Sequence, residues 1–309
     1  MSEARYQADR EAANAAEVDR SIPFIDPHFH VWELGRFTYH WLTDNIAPHT
    51  GVLGEYGMIR VDWPIERILR EWYGSNVVKS VHVEADYNGP DPVEETAWLD
   101  GIASEYGHPH GLVVYCDIER SDGAAQLERH LAASDRVRGI RLRAHPDDPD
   151  TAAFREGYAE LGRHGLSYEL NASPGRLLSG RDTAHRFPDV QVVLGHAGFP
   201  IQRDDAYFQW WRSEVRELAE LPNVACKVSA LGMNDHTWTI DSIRPWVLQC
   251  IESFGPERVM FASNWPVCVL FGSYLRLIDA YRLILTREGF SREDQEQMLY
   301  RNAERIYRI

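Results

Sequence analysis

The sequence predicts an α/β protein, a single (β/α)8 barrel preceded by a short helical arm. Three observations point there. From residue 22 onward, eight short apolar runs alternate with eight longer amphipathic stretches, the pattern of strand–helix units that feed a parallel sheet. The span 22–290 suits a fold that usually takes about 250 residues. A doubly wound sheet, the competing arrangement, usually has fewer strands and a glycine-rich phosphate loop. Neither GxGxxG after a strand nor GxxxxGKS/T occurs here.

Strands are expected at 22–29, 77–85, 111–118, 137–144, 166–172, 190–197, 224–231 and 258–264. Several are rich in Val and Ile, as buried parallel strands tend to be. Helices are expected at 64–73, 92–106, 123–133, 151–164, 174–186, 205–220, 241–254 and 271–288, with a last one at 291–307. Asp91-Pro92 and Ser173-Pro174 place proline at a first helical position behind a capping side chain. Ser291 and Asp294 have the spacing of a capping box. Residues 1–21 form a polar, helix-prone arm, and 22–309 form the barrel domain. The arm reads first as a frayed tail; a contact with a second subunit, making a homo-oligomer, is the alternative. Segment 33–63 is long for a loop and carries Phe37, Tyr39, Trp41, Tyr56 and Trp63. In this fold the loops after strands build the active-site mouth, so it reads as an active-site wall, as a packed subdomain, or as both.

Composition narrows the function. The 309 residues carry 47 acidic and 32 basic side chains, a formal net charge of −15. That balance argues against nucleic-acid binding and against a polybasic membrane contact. No apolar run reaches the roughly 18 residues of a membrane span. The N-terminal stretch lacks the apolar core of a signal peptide, so a cytoplasmic location is expected. The four cysteines form no CxxC pair, which suits buried thiols in a reducing compartment.

Period two along the strands separates an apolar face from a polar one. The polar set is Asp26, His28 and His30; His82, Glu84 and Asp86; Arg141, Arg143 and His145; Glu169 and Asn171; His196; Lys227 and Ser229; and Asn264. If the apolar faces pack on the helix ring, these groups converge at the top of the barrel. Burying so many ionisable groups without pairing or purpose is costly. His28 and His30 form an HxH on the first strand, about 7 Å apart along one face, close enough to share one metal ion or flank one substrate.

HxH alone is a weak signal. DPHFHVW (26–32), VHVEADY (81–87), GIRLRA (139–144), LGHAGFP (194–200), CKVSAL (226–231) and FASNWPV (261–267), in that order, are a strong one. Together they resemble the lactonase-like branch of the amidohydrolase superfamily, over essentially residues 22–308. The resemblance implies that His28, His30 and His196 are the three histidines at the barrel mouth. It places Arg141 and Arg143 where acidic substrates are held, and Asn264 where many members carry a catalytic Asp. Asn can be neither a base nor an anionic ligand, so Glu84, or else His82, becomes the candidate general base.

The resulting expectation is a hydrolase that opens a small, carboxylated lactone by attack of water on the carbonyl. The site would comprise His28, His30, His196, Asn264 and Glu84 for catalysis. Arg141, Arg143, Lys227, Tyr39, Trp41 and Trp265 would contact a small-molecule substrate. His28, His30 and His196 could hold a divalent metal, zinc first, at even odds with none. The rivals are a metal-dependent non-oxidative decarboxylase, an amidase-type hydrolase, and a barrel that only binds a ligand.

Overall fold

A computed structural model describes residues 3–15, 17–44 and 51–309; residues 1–2 and 16 of the arm and 45–50 of the aromatic segment lie outside the described residues. Eight parallel strands follow one another around the sheet in chain order. They are β1 (Phe24–Phe29), β2 (Val77–Val83), β3 (Gly111–Val114), β4 (Val137–Arg141), β5 (Ser167–Leu170), β6 (Val192–Leu194), β7 (Val224–Val228) and β8 (Val259–Phe261). Each lies within an expected run. The helices are α1 (Glu3–Ala15), α2 (His40–Thr43), α3 (Ile65–Glu71), α4 (Val93–Tyr106), α5 (Gly123–Ala133), α6 (Ala152–His164), α7 (Leu177–Arg186), α8 (Asp205–Ala219), α9 (Ile240–Phe254), α10 (Tyr274–Arg287), α11 (Arg292–Glu296) and α12 (Asn302–Tyr307).

Side-chain caps open several of the helices. Ser291 and Asp294 form the reciprocal capping box that closes the first turn of α11. Asp91 accepts the Val93 N–H at the start of α4. Ser173-Pro174 instead opens a turn, and α7 begins at Leu177 with no side-chain cap. The four cysteines are free and buried. No helix among the described residues is long and apolar enough to cross a membrane.

The arm is a docked helix rather than a frayed tail. Asp9 pairs with Arg276 at 2.9 Å, Arg20 with Asp279 at 2.6 Å, and Tyr6 donates to Glu71.

Two features depart from simple alternation. Asp26 pairs with Ser80 and Phe29 with His82, so three steps on β1 match two on β2. This bulge inserts one residue at Pro27–His28 and resets which side chains face inward. Ile25 therefore joins an inner apolar cluster with Val81, Val83, Val113, Val193, Ala225 and Met260, while Asp26 faces away from it. His82, out of phase with Val81 and Val83, packs edge-on against Phe29 at 5.7 Å. Ala303, Ile306 and Tyr307 of α12 complete the inner cluster.

The seam between β8 and β1 is tied by side chain as much as by ladder. Asp26 accepts hydrogen bonds from the Ser263 N–H at 3.1 Å, the Ser263 hydroxyl at 2.6 Å, the Tyr274 hydroxyl at 2.9 Å and the His28 N–H at 3.3 Å. Backbone bonds from Asn264 N–H to His28 O (2.8 Å) and from His30 N–H to Trp265 O (2.7 Å) finish the closure.

The described part of segment 33–63 is packed over the mouth. Trp32 and Trp63 pair as an antiparallel bridge, and Arg60 donates to the carbonyls of Leu42 (2.7 Å) and Asp44 (2.8 Å). Tyr39 is fully buried and donates to Glu95 of α4 at 3.1 Å.

Two measurements probe this frame. Asp26→Ala removes the acceptor of four buried donors, of which only the Ser263 hydroxyl keeps another, the His28 carbonyl at 3.3 Å, and is expected to lower the unfolding free energy by roughly 3–5 kcal/mol in denaturant melts; a loss within experimental error would mean that the ladder alone closes the seam. Burial pushes the Glu95 carboxyl up to about 8, so the folded chain keeps a proton that the unfolded chain releases. That contribution is complete at acid pH and is lost as pH rises through the folded value. Glu95→Gln keeps an acceptor for Tyr39 and cannot ionise. Its Tm relative to the parent should therefore climb between about pH 5 and about pH 9, and a flat difference would show that Glu95 is ionised throughout.

Candidate functional site

A cavity of about 210 Å3 opens at the C-terminal end of the strands, walled by His30, Glu84, Asp86, Arg141, Asn171, His196 and Asn264 on its polar side. Trp41, Leu53, Phe199, Met233 and Val267 form the apolar side. Several residues around it share an uncommon backbone. Asp86, His196, Ala197, Phe199, Ala230 and Asn264 all have φ between 48 and 59°. Left-handed backbone in non-glycine residues costs energy and clusters where a site must be held in shape.

The three histidines come together. The His28 ring lies 5.1 Å from that of His30 and 4.5 Å from that of His196. His28 is buried beneath the cavity, and neither of its ring nitrogens has a hydrogen-bond partner. His30 Nδ1 is 2.8 Å from the Val83 carbonyl, and its Nε2 is 3.1 Å from the Asn264 side chain. Burial, aided by Arg141, pushes His30 down to about 4, so the ring is neutral at physiological pH. Its one N–H then serves Val83, Nε2 offers a lone pair, and the Asn264 amide must turn its NH2 toward it. His196 Nδ1 lies 2.7 Å from the Ser229 hydroxyl, which leaves Nε2 for the cavity. Burial also holds His28 and His196 well below the usual imidazole range, with Lys227 and Arg141 adding to the effect.

Arg141 is largely spent within the protein. Its Nε donates to Glu84 Oε1 at 2.6 Å and one Nη donates to the Glu84 carbonyl at 2.6 Å. Glu84 Oε2 accepts the Asp86 N–H at 2.8 Å, so both Glu84 oxygens are engaged. Below the cavity, Lys227 is fully buried, pairs with Glu169 at 2.9 Å and donates to the Pro27 carbonyl at 3.0 Å. Tyr307 of α12 donates to the same Glu169.

Other expected contacts lie elsewhere. Trp41 walls the cavity, anchored by its indole N–H on the Ala85 carbonyl at 2.9 Å. Tyr39 does not reach it, because its hydroxyl serves Glu95. Trp265 is fully buried between Trp63 and Tyr274; its main chain, not its indole, borders the site. Lys227 lies inside the barrel under the histidines. Arg143 turns outward, donates to the Tyr87 carbonyl at 2.8 Å and stacks over Tyr115 at 4.7 Å. It lines a separate cavity of about 520 Å3 with Tyr87, Tyr115 and Arg120. That cavity is the larger, but it contains none of the three clustered histidines. His82 packs behind the strand and is absent from the cavity wall.

Asp86, Asn171, Phe199 and Met233 are wall residues that sequence reasoning did not assign to the site. Asp86 and Asn171 stood on the polar faces; the aromatic and thioether walls come from loops that periodicity does not reach.

A divalent metal would need about three converging donors. Among the described residues, no three His, Cys, Asp or Glu side chains are arranged to hold a metal ion. Asn264 supplies no charge, and the cationic Arg141 and Lys227 both bear on His28 and His196. Among the described residues a dication there would find three neutral imidazoles that are not arranged around one point, so the residues present do not fit a resident metal.

The amidohydrolase family matches residues 25–309 of the chain. An uncharacterised protein of Sinorhizobium fredii, y4mH, is 38% identical over 300 residues, which is 93% of this chain and 99% of that protein. The L-fucono-1,5-lactonase of Burkholderia multivorans is 29% identical over 271 residues, 81% of this chain and 84% of that enzyme. A solved amidohydrolase from Burkholderia multivorans with bound zinc is similar with a TM-score of 0.79 at 25% identity, over 93% of this chain and 99% of that one. With the motifs, the barrel and these matches in agreement, the chain belongs to the amidohydrolase family and is a hydrolase.

Proposed function

We propose that the protein opens the lactone ring of a small, uncharged sugar acid, using its own side chains and no resident metal. The observation that carries this reading is the state of Arg141. Two of its donors are committed to Glu84, and Asp86 adds a carboxylate to the same wall. Among the described residues no uncompensated cation lines the cavity, which favours a neutral lactone over the carboxylated one expected from the Arg141–Arg143 pattern. The cavity volume of about 210 Å3 is below the roughly 300–1,000 Å3 of sites for drug-sized ligands and suits a single small ring. The relative named an L-fucono-1,5-lactonase is consistent with that substrate class.

The chemistry follows from the geometry. Trp41, Phe199, Leu53 and Val267 cover the apolar face of the ring, and the Asn171 side chain meets its hydroxyls. Water adds to the carbonyl carbon. The developing oxyanion is stabilised by N–H donors that are already oriented: His196 Nε2, whose partner nitrogen is held by Ser229, and the remaining Arg141 Nη. The neutral His30 ring is held in place by Val83 and Asn264.

The test is a steady-state panel of neutral sugar lactones and carboxylated lactones such as pyrone-dicarboxylates. The neutral class should show kcat/KM at least about tenfold higher, a difference of about 1.4 kcal/mol in transition-state binding. A preference for the carboxylated class would overturn the reading. Arg141→Met distinguishes the two on a second axis. With Arg141 an internal partner, the variant strands buried Glu84 and loses roughly 3–5 kcal/mol of stability. With Arg141 a substrate clamp, stability holds and only KM rises.

A further inference from the structure

From the geometry we infer that Asp86 is the general base that activates water, in the role that Asn264 cannot fill. This rests on the lactone-opening reading and completes it. Three carboxyl groups lie in or near the mouth. Glu95 is buried against Tyr39 and does not line the cavity. Glu84 has both oxygens occupied, by the Arg141 guanidinium and by the Asp86 N–H. Among the described residues Asp86 is the one left: it lines the cavity, its Oδ1 is buried and ion-paired with Arg143 Nε at 3.2 Å, and its Oδ2 accepts no hydrogen bond, which leaves that oxygen for water.

The backbone holds that carboxylate in place. The chain leaves β2 after Val83, and Asp86 sits at φ 59°, a left-handed turn secured by its N–H on Glu84 Oε2. Asp and Asn are among the few residues that adopt this conformation readily. The side chain is about 44% accessible, so water reaches it from the mouth. The charged and titratable groups that bear on it are Glu84 from the end of β2, Arg141 and Arg143 from β4 and the loop beyond it, and His30 from β1. Burial and the Glu84 charge raise its affinity for a proton, and the two guanidiniums oppose that rise.

The step balances. Asp86 takes one proton from water as the hydroxyl oxygen bonds to the carbonyl carbon, and the carbonyl π pair moves onto its oxygen. When the tetrahedral species collapses, that pair returns, the ring C–O bond breaks, and Asp86 gives the proton to the departing ring oxygen. The products are one open-chain hydroxy acid and the original carboxylate. No oxidant, reductant or further reactant is required.

Asp86→Asn keeps the left-handed turn and the backbone bond to Glu84 and removes the base together with the charge that faces Arg143. Asp86→Gly, which adopts φ 59° without strain, is a second carboxylate-free variant if the first is unstable. With a neutral sugar lactone that the parent opens, both variants should lose about 10²–10⁴-fold in kcat. KM should change by less than about threefold, and the acid limb of the kcat–pH profile should vanish. Asp86→Glu should recover part of the rate. Retention of parental kcat and acid limb by Asp86→Asn and Asp86→Gly would overturn the assignment while leaving lactone opening intact. A parent that opens no lactone of either class would overturn both.

Discussion

The site depends on a buried carboxylate that belongs to no reaction. Asp26 gathers donors from β8 and α10 across the seam where the barrel must close. The first and last strands pair over little length there, with Phe29 and Trp265 making an isolated bridge. Three hydrogen bonds across the seam to one acidic side chain therefore do what a longer ladder does elsewhere in the sheet. Closure brings the β8 end against the β1 end, so that Asn264 meets His30 and the Asn264 N–H is satisfied by the His28 carbonyl. The bulge at Pro27–His28 belongs to the same arrangement: it lets Asp26 face the seam while His28 and His30, two and four residues later, face the mouth.

A second constraint is charge balance in the barrel. Lys227 and Arg141 are cations buried in a medium that penalises charge, and each has a carboxylate directly on it, Glu169 and Glu84 respectively. Tyr307 completes the lower pair from the last helix of the chain. Burial keeps the three histidines above them neutral, with Arg141 adding to the effect, and because each cation has its own carboxylate the positive charge around the cavity is paired.

Much of this was legible in the sequence. The eight strands lie within the runs that periodicity marks, because parallel strands buried on both faces need continuous apolar stretches. The inward phase of Arg141, Glu169 and Lys227 also follows from alternation. Alternation failed where the backbone departs from a regular strand. The β1 bulge turned Asp26 away from the mouth, His82 lies behind its strand, and the left-handed turn after Val83 carries Asp86 to the wall. Tyr39 and Trp265 looked like substrate contacts because aromatic residues near a mouth often are. Their burial is a matter of packing partners, Glu95 for one and Trp63 with Tyr274 for the other, that lie far along the chain. The closure of the inner apolar cluster by α12 had no local signal at all.

The central claim is that this mouth opens a lactone with its own side chains. It is tested most directly by measuring the rate of L-fucono-1,5-lactone opening before and after exhaustive chelation, with the metal content of the same samples determined. The account predicts turnover that survives chelation in protein holding well under one equivalent of metal. Turnover that is abolished by the chelator and restored by stoichiometric zinc would contradict it.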